Sequence, residues 1–146
     1  MKYLIEAIIE NFPEVVAISK IAMALLLSSL IGIERETTDK PIGLRGTMFV
    51  TLGTVLFAII GLTFINQMNL DMIRLLYAPI IGIGFLGSGV IIMKKGQAQG
   101  ITTATVLWAM VGIGLLVGLG MNVLAIVSTL AVYGILKSKT LEEKIL

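Results

Sequence analysis

Pro79-Ile-Ile-Gly-Ile-Gly-Phe-Leu-Gly-Ser-Gly89 is the stretch on which the prediction of the fold depends. An apolar run continues from it to Met93, and the charged turn Lys94-Lys95-Gly96-Gln-Ala-Gln-Gly100 follows. A second apolar run then begins and contains Trp108. Two apolar segments joined by a short charged turn are typical of two consecutive membrane helices.

The glycines of this stretch fall on both sides of the helix that it predicts. At about 100° per residue, Gly82 and Gly89 lie on one side, whereas Gly84, Gly87 and Ser88 lie on the opposite side. Neighbouring helices can approach such a helix closely on both faces, which is how membrane helices pack when apolar burial cannot drive their association. We therefore expect this helix to be the centre of a bundle, with the four glycines as packing residues.

Gly82, Gly84 and Gly87 also match the dinucleotide-binding pattern G-x-G-x-x-G. That motif requires a preceding strand and an acidic residue about 20 residues further on. Here the glycines lie inside an apolar run, and no acidic residue follows before Glu142. Helix packing is therefore the favoured interpretation.

The composition is that of a membrane protein. The 146 residues are 57% hydrophobic and 14% charged, and the mean hydropathy is +1.02, whereas a soluble domain carries about 25% charged residues. The net charge of +2 is too small to favour a nucleic-acid partner. The sequence has no cysteine and no histidine, which excludes thiol chemistry and removes the commonest general base, so we do not expect an enzyme.

Five apolar segments predict membrane spans, at residues 15–33, 47–65, 75–93, 103–119 and 123–136. Before them, residues 2–11 place apolar side chains at helical spacing with Glu6 and Glu10 opposite, which predicts a short amphipathic helix on the membrane surface. The predicted fold is an all-α integral membrane bundle of five helices. A single domain accounts for residues 1–146.

The distribution of Lys and Arg predicts the orientation, because cytoplasmic connections carry an excess of both. One side has Lys2, Lys20 and Arg74, and the other has Arg35, Lys40, Arg45, Lys94, Lys95, Lys137, Lys139 and Lys144. We expect the N-terminus outside and the C-terminus in the cytoplasm.

Glu34 and Glu36 lie at the C-terminal end of the first span, where the helix dipole disfavours a carboxylate by about 0.3–1 kcal/mol. Compensating partners are available in Arg35, in Arg45 and in the N–H groups at the starts of spans two and four. Two interpretations remain open. These groups form one polar cluster at the cytoplasmic face, or they form an ion-pair belt that only fixes depth in the membrane.

Glu34, Glu36 and Asp39 offer three carboxylates within six residues, which are ligands that Mg²⁺ prefers. No acidic residue lies near the middle of a span, where proton-coupled carriers usually place one. Thr47, Thr51 and Thr54 form one stripe of the second span. The stripe favours hydrogen bonds between helices over a hydroxyl-lined path for a ligand.

Two glycine pairs predict close contacts between helices. Gly114 and Gly118 form a G-x-x-x-G pair, and Gly46 and Gly53 lie seven residues apart on the second span. These faces exceed what one small bundle needs, so we expect a homo-oligomer, and specifically a dimer.

Five motifs follow one another along almost the whole chain: Gly32-Ile-Glu34-Arg35-Glu36, Gly43-Leu44-Arg45, Gly82-Ile-Gly-Phe-Leu-Gly-Ser-Gly89-Val-Ile, Gly100-Ile-Thr-Thr103-Ala-Thr-Val-Leu-Trp108 and Gly112-Ile-Gly-Leu-Leu-Val-Gly-Leu-Gly120. In this order they resemble the MgtC/SapB family of bacterial inner-membrane proteins. The resemblance implies a five-helix membrane domain linked to magnesium homeostasis, to adaptation to low magnesium and, in some pathogens, to virulence.

The resemblance implies a regulator that acts through a membrane partner such as the ATP synthase, with a transporter or channel for Mg²⁺ as the alternative. The functional positions that it implies are Glu34, Arg35, Glu36, Arg45, Thr102, Thr103 and Trp108. Many members continue into a cytoplasmic C-terminal domain, whereas this sequence ends ten residues after Leu136. Some members also carry Asn at the position of Thr102. We therefore expect the membrane domain only, with Mg²⁺ as a possible ligand.

Overall fold

Helices account for most of the computed structural model, which describes residues 13–68, 72–94 and 96–145. The five helices are α1 (Pro13–Thr37), α2 (Leu44–Met68), α3 (Met72–Val90), α4 (Ile101–Gly118) and α5 (Asn122–Ile145). Strands β1 (Ile92–Lys94) and β2 (Gln97–Gln99) pair antiparallel between α3 and α4. The predicted all-α fold is therefore confirmed, with this hairpin as a small addition. The surface helix predicted at residues 2–11 lies outside the described residues.

Among the helices of the described residues, three are long and apolar enough to cross a membrane. They are Pro13–Thr37, the Leu44–Thr63 part of α2, and Ile101–Gly118. Leu76–Val90 and Asn122–Ser138 are apolar but shorter. Within the described residues, the structure thus shows five helices where the sequence predicts five spans, and the number of membrane crossings stays a prediction.

The third predicted span, at residues 75–93, is wrong at its C-terminal end. The helix stops at Val90, because Ile92–Lys94 forms β1. Gly96 and Gly100 have φ angles of +77° and +90°, which other residues rarely adopt. Gly100 also lies so close to Val90 that a Cβ there would meet the Val90 carbonyl oxygen. A tight, glycine-dependent turn therefore replaces the last turn of the expected helix.

Helix α4 is the centre of the bundle, and the expectation that α3 holds this place is wrong. Helix α4 contacts each of the other four helices, whereas α3 packs chiefly on α2 and α4. A Cβ at Gly82, Gly84 or Gly89 would meet nothing within 4 Å. A glycine leaves room for a neighbour but supplies almost no surface to bury, so the helix with large apolar residues on all sides takes the centre.

Apolar side chains fill the core in three clusters, each of which includes residues of α4. The first cluster contains Ile31, Val106, Met110, Ile113 and Leu136. The second joins four helices through Ala24, Val55, Val117 and Ala125. The third packs α3 on α4 through Ile83, Leu107 and Val111.

Gly114 and Gly118 lie at the crossing of α4 and α2. A Cβ at Gly114 would lie 2.8 Å from the Thr54 Cβ, and a Cβ at Gly118 would collide with the Ala58 Cβ. This G-x-x-x-G pair is therefore used inside one bundle, and the expectation that it is left over for a second copy is wrong. Gly53 has open space around it.

The threonine stripe of α2 is buried, but its hydroxyl groups bond within their own helix. The Thr51 Oγ1 donates to the Thr47 carbonyl oxygen at 2.9 Å, and the Thr54 Oγ1 to the Val50 carbonyl oxygen at 2.8 Å. The Thr47 hydroxyl donates to the carbonyl oxygens of the preceding turn in the same way. These hydroxyl groups therefore do not form the predicted hydrogen bonds between helices, and because all three side chains are buried they do not line an open path.

Candidate functional site

Arg35 is a buried cation at the C-terminal end of α1. Only 2% of its surface is exposed, and its Nη2 donates to the Thr103 Oγ1 at 2.7 Å. Thr103 is itself buried in the first turn of α4. One charged hydrogen bond therefore ties the end of α1 to the start of the central helix.

Glu34 is buried beside Arg35, with 6% of its surface exposed. Its Oε2 and the Arg35 Nε have no hydrogen-bond partner among the described residues. Buried carboxylates and guanidinium groups are normally paired, because an unpaired charge loses several kcal/mol of solvation. We call Glu34, Arg35 and Thr103 the buried polar node. Its two unpartnered atoms, one acceptor and one donor, mark it as the chemically unusual place in the described part of the chain.

Glu36 lies in the last turn of α1, but unlike Glu34 its side chain reaches the start of α2. Its Oε2 accepts the Leu44 N–H at 2.9 Å, which satisfies one of the N–H groups that begin a helix without an intrahelical acceptor. Gly43 makes this approach possible, because a Cβ there would collide with the Glu36 carboxylate. The end of α1 disfavours the negative charge of Glu36, and the positive end of α2 offsets this unfavourable interaction.

The three carboxylates of the predicted cation site are not brought together. Glu34 is buried, Glu36 binds the start of α2, and Asp39 is exposed in the turn after α1 with a φ of 50°. Among the residues whose structure is described, no group of three His, Cys, Asp or Glu residues is placed to hold a metal ion. Their closeness in the sequence suggested a shared site, but the end of α1 and the turn after it direct the three side chains to different surroundings.

The other residues expected in the polar cluster lie outside the node. Arg45 and Thr102 are exposed, and Trp108 is 63% exposed on the outer side of α4. The expected cluster of Glu34, Glu36 and Arg45 is therefore divided. The buried cation at this end of the bundle is Arg35, whereas Arg45 is exposed.

Arg45 and Glu36 instead line a groove, which we call the α2–α3 groove. Its volume is about 680 Å³, and it lies between the start of α2, the end of α3 and the connection after α1. The residues around it are Glu36, Pro41, Ile42, Gly43, Arg45, Gly46, Phe49, Val50, Leu86, Val90 and Leu107. The node and the groove thus occupy the same end of the bundle, which is the end predicted to face the cytoplasm.

Lys20 makes a contact at the opposite end of the bundle that sequence reasoning missed. Its Nζ donates to the Gly118 carbonyl oxygen, at 2.7 Å, where α4 ends. The sequence indicates only that Lys20 lies near the membrane surface and that a helix ends with orphan carbonyl groups near Gly118. Their pairing spans 98 residues and depends on the tertiary packing of α1 on α4.

Comparison with known proteins places these features in a family. The family model described as the MgtC family matches residues 21–144. The chain is 37% identical to "Protein MgtC" of Salmonella typhimurium (strain LT2) over 110 residues, which cover 75% of the chain and 46% of that protein. It is 30% identical to the "Putative magnesium transporter YhiD" of Escherichia coli (strain K12) over 115 residues, covering 75% and 54%.

It is also 32% identical to "Protein SapB" of Bacillus subtilis (strain 168) over 108 residues, covering 69% of the chain and 47% of that protein. The chain thus spans about half the length of the curated relatives that it matches. No solved structure matches the chain.

Proposed function

The chain belongs to the MgtC family, and on that premise we propose that it is a bacterial inner-membrane protein of magnesium homeostasis that regulates a membrane partner. The link to magnesium is supported by one relative, which is named a putative magnesium transporter, YhiD. The resemblance of the sequence motifs to this family implies a role in adaptation to low magnesium. It also implies that the ATP synthase is one membrane partner that the protein could regulate.

The observation that carries the choice of a regulator is the buried polar node. Arg35 is bound to Thr103 between two helix ends, so its charge holds α1 against α4 and does not line a path across the membrane. Thr51 and Thr54 are buried where α2 packs on α4, so their hydroxyl oxygens do not line an open path for an ion. A charged hydrogen bond between two helix ends can hold those helices in one of two arrangements. A regulatory protein needs such arrangements, because its partner binds one of them in preference to the other.

The proposed orientation has five membrane spans, with the N-terminus outside and the C-terminus in the cytoplasm. It is supported by the geometry of the helix ends, since Arg35 and Thr103 place the end of α1 beside the start of α4. The contact between Gly100 and Val90 places the end of α3 there as well. Arg35, Lys40, Arg45 and Lys94, which are predicted to be cytoplasmic, thus lie at one end of the bundle.

A homodimer or a contact with another membrane protein is part of the same proposal. Helix α3 supports it, because Gly82 and Gly89 have open space around them and Phe85, on the same side of the helix, is 82% exposed. Small residues on an uncovered helix face allow a second helix to approach closely in a membrane.

Transport of Mg²⁺ is the second candidate, and the unpartnered Glu34 Oε2 is the observation that favours it. A buried carboxylate oxygen without a protein donor is a ligand that a hard cation would accept. A transporter should carry Mg²⁺ across a bilayer when it is the only protein present, whereas a regulator should not. One assay of Mg²⁺ flux with purified protein therefore separates the two candidates.

The deciding experiment measures Mg²⁺ entry into liposomes that contain purified wild-type protein, with Glu34→Gln beside it. A regulator gives no flux above protein-free liposomes. Mg²⁺ flux in the wild type that disappears in Glu34→Gln would establish the transporter instead.

A growth assay completes the test in cells that lack the native gene and are grown at low magnesium. We expect rescue by the wild type and by Lys137→Gln, which changes an exposed cation, but not by Arg35→Gln. The amount of each variant in the membrane is measured in parallel. Full rescue by Arg35→Gln at normal abundance would remove the node from the proposed mechanism.

A further inference from the structure

The α2–α3 groove changes from charged to apolar along its length. Arg45 and Glu36 line it at the start of α2, whereas Phe49 and Val50 line it about one helical turn further into the bundle. Leu86 and Val90 on α3 and Leu107 on α4 form the facing apolar walls. A ligand that fills the groove must therefore be charged at one end and apolar at the other.

The charged end of the groove favours an anion. Arg45 is the cation among the lining residues, and its side chain is exposed. Arg45 and Gly46 also lie in the first turn of α2, where backbone N–H groups lack intrahelical acceptors and attract phosphate groups. Among the described residues, the carboxylate of Glu36, the other charged lining residue, accepts only the Leu44 N–H, so the N–H groups of Arg45 and Gly46 and the Arg45 guanidinium are left for an anion.

The apolar end of the groove is continuous with the outer surface of the bundle. Phe49 and Leu86 are both exposed large apolar side chains, and both line the groove. A soluble anion would gain nothing from these walls, whereas an acyl chain would bury apolar surface along them. Basic pockets between membrane helices on the cytoplasmic side are a known setting for acidic lipid headgroups.

We propose that the α2–α3 groove is a binding site for an anionic phospholipid. The phosphate lies at the Arg45 guanidinium and the first turn of α2, and one acyl chain lies along Phe49, Leu86 and Val90. The site is separate from the buried polar node, and binding there does not depend on the protein being a regulator or a transporter.

Native mass spectrometry of the purified full chain in detergent tests the proposal, with phosphatidylglycerol and phosphatidylcholine of identical acyl chains as probes. We expect the wild type to retain phosphatidylglycerol in preference. Arg45→Gln should lower that preference about fivefold, which is the effect of one basic residue near an anionic lipid. Lys40→Gln is the matched control, because Lys40 is exposed in the adjoining connection but does not line the groove.

The acyl-chain half of the proposal is tested with Leu86→Trp, which fills the apolar wall and should reduce retention of both lipids. Ile81→Trp is its control, since Ile81 is exposed on the same helix outside the groove. The proposal would be overturned if the wild type retained the two lipids equally. It would also be overturned if Arg45→Gln and Lys40→Gln lost the same preference for phosphatidylglycerol, or if Leu86→Trp and Ile81→Trp retained both lipids equally well.

Inorganic phosphate distinguishes a lipid site from a site for a soluble anion. We expect millimolar phosphate to leave bound phosphatidylglycerol in place, because phosphate cannot replace the apolar contacts. Displacement of the lipid by phosphate at that concentration would show a soluble-anion site and overturn the lipid assignment.

Discussion

At the level of single residues, Arg35 and Arg45 have the same chemistry but opposite environments. Arg35 is buried against Thr103, whereas Arg45 is exposed at the α2–α3 groove. The pair Thr102 and Thr103 is divided in the same way, since Thr102 is exposed and Thr103 is buried. The sequence shows that these residues are polar and lie near helix ends, but the environment of each depends on helix rotation in the packed bundle.

The two threonines provide a matched pair of substitutions at this scale. Thr103→Val removes the acceptor of the Arg35 Nη2 and leaves a buried guanidinium group without it, so we expect a loss of about 1–3 kcal/mol in the free energy of unfolding. Thr102→Val makes the same chemical change at an exposed position, where about 0.5 kcal/mol or less is expected.

Unfolding of both variants by denaturant in the same detergent measures the difference. Equal stability of Thr102→Val and Thr103→Val would show that the hydrogen bond of Arg35 contributes nothing to the fold. A loss confined to Thr103→Val would support the buried polar node as a structural joint.

At the level of the elements, the glycines of α3 and α4 show that one pattern can serve two purposes. Gly82, Gly84 and Gly89 face open space on α3, whereas Gly114 and Gly118 of α4 lie against α2. The spacing of small residues predicts that a helix can be approached closely. It does not predict which helix makes the approach, because that depends on the apolar side chains around the glycines.

Gly118→Ala and Gly112→Ala test this difference within one helix. The new Cβ at position 118 would collide with the Ala58 Cβ, so we expect a loss of about 1–3 kcal/mol in the free energy of unfolding. At Gly112 nothing lies within 4 Å, and no loss is expected. The measurement is the unfolding midpoint in detergent.

The double variant Gly118→Ala/Ala58→Gly provides the control for this contact. Removing the opposing methyl group should restore part of the stability lost in Gly118→Ala, which a double-mutant cycle measures. If the two substitutions were simply additive, the close contact between α2 and α4 would not be the cause of the loss.

At the level of the whole molecule, both polar features lie at one end of the bundle, and the charge distribution predicts that this end is cytoplasmic. The hairpin between α3 and α4 belongs to the same end, whereas the turn between α4 and α5 belongs to the other. Since the chain has no cysteine, single cysteines can report the position of each connection without background.

Gln97→Cys in the hairpin and Met121→Cys before α5 are both at exposed positions. In intact cells, a thiol reagent that does not cross the membrane should label Met121→Cys but not Gln97→Cys. Both should be labelled once the cells are opened. Labelling of Gln97→Cys in intact cells would reverse the proposed orientation, and labelling of both would contradict the predicted crossing between them.

The sequence by itself determined the class of the protein and the elements of its fold. High hydropathy and long apolar runs are local properties of the chain, so they predicted a membrane protein with five helices and placed the approximate bounds of each. The motifs of the MgtC family are likewise continuous stretches, and their match along residues 21–144 needed no structure.

Only the tertiary structure decided which helix is central, which arginine is buried and what each carboxylate contacts. Arg35 and Thr103 are 68 residues apart, and Glu36 reaches the Leu44 N–H across the connection after α1. Such contacts follow from the rotation and crossing of packed helices, which are set by the apolar side chains of all the helices together. The pattern of any one segment therefore predicts that its polar groups need partners, and the packing of the whole bundle selects those partners.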